Sequence, residues 1–180
     1  MTKKNQAIVE GALMLALSQI LSYLKLLEMP QGGSLTLSMV PIMIYCYRWG
    51  LGPGLMTAFA LGLLQLVLDG AYTWGWQSIF LDYLIAYGLL GTAGAFRRMP
   101  GGLYLGAAAG GILRLLSHLV SGYFFVKDTT SFDIYGVQTT SPWLYSLIYN
   151  GSYMIPNILL CLLALVLLRK PLAKYMVPQD

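Results

Sequence analysis

Four ionisable side chains, Glu10, Asp82, Arg114 and His118, sit inside stretches that are otherwise apolar. An ionised group in hydrocarbon is costly, so each implies a partner, a ligand or a place at the membrane edge. Arg114 and His118 are four residues apart and share one face of a helix. Asp82 lies beside Tyr83, one turn before Ala86 and Tyr87. A third group opens the last apolar stretch, where Trp143, Tyr145, Tyr149, Asn150 and Tyr153 follow one another, with Pro156 and Asn157 beyond. Tyr72, Trp74 and Trp76 crowd the loop before the fourth stretch. Aromatic faces attract cations, a carboxylate compensates positive charge, and Asn and His give directed hydrogen bonds to a heteroaromatic edge. A flat, cationic, nitrogen-rich molecule suits that set.

Each residue also has a plainer reading. Glu10 lies near one end of its helix, where its carboxylate reaches the headgroups, and the aromatics fit an interfacial belt. Asp82 also reads as a hydrogen-bonded structural carboxylate and His118 as a packing residue. Arg114 either pairs with a carboxylate or approaches an anionic group on a ligand. Asn150 is harder to dismiss, because a buried amide needs partners for both its donors and its acceptor.

Nothing marks out an enzyme. The chain has no H-E-x-x-H, no P-loop, no G-x-S-x-G and a single histidine. A membrane hydrolase built on Asp82 and His118 would lack a nucleophile. Cys46 and Cys161 fall in apolar stretches without metal or redox spacing and read as buried free thiols. Neither a metal site nor a cofactor is expected.

These residues must be positioned by membrane helices. Of the 180 residues 57% are hydrophobic and only 10% charged, with a mean hydropathy of +0.66, which excludes an ordinary soluble domain and a disordered chain. A helix needs about 20 apolar residues to cross hydrocarbon. Apolar stretches run over approximately 7–24, 34–47, 51–68, 77–96, 103–126 and 142–168, giving an all-α integral membrane protein with six transmembrane helices in one domain, 1–180. The runs are unbroken, unlike the alternating segments of a barrel. The second is short and preceded by Gly32, Gly33, Ser34, Thr36 and Ser38, so a kinked or re-entrant segment bordering a site is expected there. The polar loop from Lys127 to Ser141 is long enough for a lid. No internal repeat and no cleavable signal peptide are evident.

The basic residues give the orientation. With the N-terminus inside, Lys3, Lys4, Arg48, Arg97, Arg98, Arg169, Lys170 and Lys174 fall on the inner side, against Lys25 and Lys127 outside. Both termini are therefore expected in the cytoplasm. The formal charge of +4 reflects topology and the membrane surface, not nucleic acid.

In order and spacing, several elements together resemble the thiamine-specific substrate-binding (S) components of energy-coupling factor (ECF) transporters, the ThiT/YuaJ family. They are Gly32-Gly33-Ser34 with Met39-Val40-Pro41, the Arg48-Trp49-Gly50-Leu51 turn, Leu81-Asp82-Tyr83, His118, and Tyr145 with Asn150. The resemblance covers nearly the whole chain. It implies a six-helix S-component bundle that binds thiamine near the extracellular face. The family's acidic residue, usually glutamate, falls on Asp82, and its other ligand residues fall on Tyr72, Tyr83, His118, Tyr145 and Asn150. Two family tryptophans are replaced, by Gly32 and Val126, so Phe125, Trp74 or Trp143 is expected to supply stacking instead. Asp82 is also shorter than glutamate by one methylene.

Ala12 and Ala16, four apart on the first helix, allow close approach of another helix. The resemblance makes them the docking surface for the transmembrane coupling subunit; packing within the bundle is the alternative. It further implies that two cytoplasmic ATPases drive uptake and that the loaded protein topples in the membrane to release thiamine. The alternative functions are capture of another small heteroaromatic vitamin or a thiamine precursor, and membrane-embedded catalysis.

Overall fold

A computed structural model describes residues 2–30, 32–68 and 75–179. Six helices follow one another: α1 (Lys3–Tyr23), α2 (Met39–Trp49), α3 (Leu51–Leu68), α4 (Trp76–Phe96), α5 (Gly102–Val126) and α6 (Pro142–Leu168). Thr2 caps α1 by accepting from Asn5 N–H, and Ser141 caps α6 by accepting from Leu144 N–H. Among the described residues there are also two short antiparallel hairpins. One pairs β1 (Leu27–Glu28) with β2 (Ser34–Leu35), and the other pairs β3 (Phe132–Ile134) with β4 (Val137–Thr139).

Burial in α1 is inverted relative to a water-soluble helix. Ser18, Gln19 and Ser22 face the protein, whereas Ile8, Leu13, Leu17 and Ile20 are exposed. Hydrocarbon is the solvent that tolerates such a surface. Apolar on every side, α2 is accordingly the buried centre: Met39, Ile42, Met43 and Cys46 are at most 1% exposed. Among the described residues α1, α3, α4, α5 and α6 are long and apolar enough to cross a membrane.

The second segment begins later than the expected 34–47. Ser34–Leu35 is drawn into a strand by pairing with Leu27–Glu28, and the Thr36 and Ser38 hydroxyls bond each other at 2.8 Å, so the helix starts at Met39. Its 11 residues span about 16 Å at 1.5 Å per residue, half of a hydrocarbon layer about 30 Å thick.

At one end of the bundle Arg48 grips Glu10 through both oxygens, with Nε–Oε2 at 2.7 Å and Nη2–Oε1 at 3.2 Å. Trp49 Nε1 adds a 2.6 Å bond to Oε2. Glu10 thus has Arg48 and Trp49 as partners within the protein. Arg48 Nη1 also donates to the Lys174 carbonyl, and Arg97 donates to that of Gln179, so both ends of the chain meet there.

Candidate functional site

At the opposite end, a cavity of about 180 Å³ opens between α4, α5, α6 and the β1–β2 hairpin, with room for far more than a single water. Asp82, Tyr83, His118, Tyr145 and Asn150 all line it. Tyr72 and Trp74 lie outside the described residues.

Asp82 sits on a local irregularity of α4. Residues Ile79–Ile85 are wound as π-helix between α-helical ends, and Gly91–Phe96 tighten into a 3-10 turn. Wide turns of this kind re-aim side chains and often occur at functional sites. Here the bulge presses against α3, where a Cβ on Gly62 would lie 2.5 Å from the Tyr83 carbonyl oxygen. Only glycine permits that approach.

The Asp82 carboxylate accepts three hydrogen bonds. His118 Nδ1 lies 2.8 Å from Oδ1, while Ser78 and Ser121 donate to Oδ2 at 2.6 and 2.5 Å. A carboxylate offers about four acceptor positions, so among the described residues one is left unused on a side chain that lines the cavity. Arg114 Nε donates to His118 Nε2 at 3.3 Å. His118 Nε2 must then be an acceptor, which places the ring proton on Nδ1 and directs it at Asp82. The Arg114 guanidinium stacks 4.1 Å above the Tyr87 ring, and among the described residues it forms no ion pair with a carboxylate.

Asn150 is engaged from both sides. Its amide nitrogen donates to the carbonyls of His118 and Ser146, and its Oδ1 accepts from Tyr153 Oη at 3.0 Å. One lone pair of Oδ1 remains, suited to an amino group on a ligand. The reach from Asn150 to the His118 carbonyl depends on Gly122, one turn beyond His118, because a Cβ there would collide with Ser146 Oγ and come within 2.8 Å of Asn150 Nδ2.

Tyrosines form one wall. Tyr145, Tyr149 and Tyr153 line the cavity at helical spacing, with Tyr145 parallel to Tyr149 and a 6.3 Å centroid separation. The 127–141 loop folds as the β3–β4 hairpin over their outer side. Phe132 lies 5.0 Å from the Tyr145 ring, and Phe132, Ile134 and Val126 are buried in one cluster with the three tyrosines. Val126 is therefore core, not cavity wall. Phe124 and Phe125 do line the cavity, as does Gly32, while Trp143 stacks on Tyr123 at 4.5 Å away from it. Ser78, Ser121, Gln65 and Tyr87 carry no signal in isolation. Ser78 precedes Asp82 by four residues and Ser121 follows His118 by three, so each shares a helix face with its neighbour.

Residues 8–177 match the model of the thiamine transporter protein family Thia_YuaJ. The chain belongs to this family. It is 31% identical to the thiamine transporter ThiT of Bacillus subtilis, over 93% of this chain and 92% of that one. It is 27% identical to the thiamine transporter ThiT of Lacticaseibacillus paracasei, over 83% and 80%. A solved structure of ThiT from Listeria monocytogenes superposes with a TM-score of 0.85, covering 98% of this chain and 100% of that one at 20% identity, which confirms the all-α membrane fold. The family is one of transport proteins and not of enzymes, so the catalytic alternative falls away.

Proposed function

We infer that this protein binds thiamine and serves in its uptake as the substrate-binding S component of an ECF-type transporter. The observation that carries the reading is the Asp82 carboxylate, held by His118, Ser78 and Ser121 in a tyrosine-walled cavity. Thiamine joins a cationic thiazolium to an aminopyrimidine. Asp82 compensates the cation, the tyrosine faces pack on the rings, and the spare lone pair of Asn150 Oδ1 receives the exocyclic amine. Tyr83, Tyr145 and, by resemblance, Tyr72 complete the site. Phe125 stands in for the tryptophan replaced by Val126.

Ala12 and Ala16 are exposed on the outward face of α1, away from the bundle interior. That supports their use as the docking surface for the coupling subunit, with two ATPases supplying the energy. The gathering of both chain ends with Arg48 and Arg97 supports cytoplasmic termini and a cavity that opens outside the cell. Uptake of labelled thiamine into proteoliposomes tests this reading. Accumulation is expected only when this chain, the coupling subunit, both ATPases and ATP are present. Accumulation without the ATPases would overturn the S-component assignment.

A further inference from the structure

Arg114 is 7% exposed, yet its Nη1 has no hydrogen-bond partner among the described residues. A buried, charged donor left unmatched is costly and calls for an acceptor. The guanidinium is not free to turn away. Its Nε is bonded to His118, and its face rests on Tyr87, whose hydroxyl is tied to Gln65, which in turn donates to Gln19. Arg114 also lines the cavity that holds Asp82.

His118 separates the two charges, with Nδ1 on the carboxylate and Nε2 on the guanidinium. The wall is thus negative at the Asp82 end and positive at the Arg114 end. A cationic ring is drawn to the first and repelled from the second, leaving another part of the ligand at Arg114. We propose that Arg114 is a specificity-determining ligand contact whose Nη1–H donates to an uncharged hydrogen-bond acceptor on the bound molecule. The proposal rests on the thiamine reading. In thiamine the candidate acceptors are the two pyrimidine ring nitrogens and the hydroxyl oxygen.

A ligand–protein double cycle tests it. Thiamine and three analogues are titrated into wild-type protein and Arg114→Met, each analogue having one ring nitrogen replaced by C–H or the hydroxyl replaced by hydrogen. Arg114→Met is expected to weaken thiamine ten- to a hundredfold. For one analogue, wild-type binding should already be weaker by a similar factor, and Arg114→Met should add no further loss. Equal losses for thiamine and all three analogues would overturn the proposal, since a residue that merely orients His118 behaves that way. An unchanged thiamine affinity would overturn it too. Should Arg114→Met fail to fold, Arg114→Lys is carried through the same cycle, with a smaller loss expected that vanishes for the same analogue. Wild-type protein that does not bind thiamine at all would overturn the proposal and the thiamine reading together.

Discussion

At the residue scale, the site depends on how completely Asp82 is held. A hydrogen bond to a charged group contributes about 1.5–3 kcal/mol, so Ser121→Ala is expected to weaken thiamine binding by at least roughly tenfold, measured by titration of purified protein. Unchanged binding would mean that the 2.5 Å contact to Oδ2 does not orient the carboxylate. Asp82, Arg114 and His118 were legible in the sequence because ionisable groups stand out against apolar neighbours. Ser78 and Ser121 were not. Serine is common in membrane helices, and these two acquire meaning only when α4 and α5 bring them to the same oxygen. The family tryptophan position at Val126 shows the opposite failure, because a place in the sequence did not reveal that this side chain packs under the hairpin.

At the scale of elements, close approach decides where the site residues sit. Gly62→Val is expected to push the π-wound turn of α4 off α3, lowering the thermal midpoint and abolishing thiamine binding, because the added Cβ meets the Tyr83 carbonyl. Gly52→Ala, on the same helix with nothing within 4 Å of the new methyl, is expected to leave binding unchanged and not to lower the midpoint. Thermal unfolding followed by intrinsic fluorescence, with titration alongside, checks the pair. Long apolar runs made the helices easy to locate, whereas the π turn leaves no mark in a hydrophobic period. The strand at Ser34–Leu35 was hidden for a related reason: two residues pair only because Leu27–Glu28 lies opposite.

For the whole molecule, the two ends of the bundle have separate tasks. One holds the cavity, and the other is fastened by Glu10, Arg48 and Trp49 together with the C-terminal segment. Removing one partner of a buried ion pair costs about 3–5 kcal/mol. Because the Glu10 side chain retains 21% exposure, Glu10→Ala is expected near the lower bound, roughly 3 kcal/mol, seen as a lower thermal midpoint. Thiamine affinity of the folded fraction should be unaltered. A large loss of affinity with little loss of stability would show that the fastening at one end governs the cavity at the other. Arg48 and Arg97 both reach the C-terminal segment at this end, through the carbonyls of Lys174 and Gln179.

Thiamine titration of the detergent-purified protein, followed through quenching of its four tryptophans, bears most directly on the function, with Asp82→Asn measured in parallel. Saturable binding to the wild type, weakened at least roughly tenfold in Asp82→Asn, is expected when a charge-assisted contact worth about 1.5–3 kcal/mol is lost. Folded wild-type protein that does not bind thiamine, or Asp82→Asn that binds it equally well, would contradict thiamine capture through Asp82.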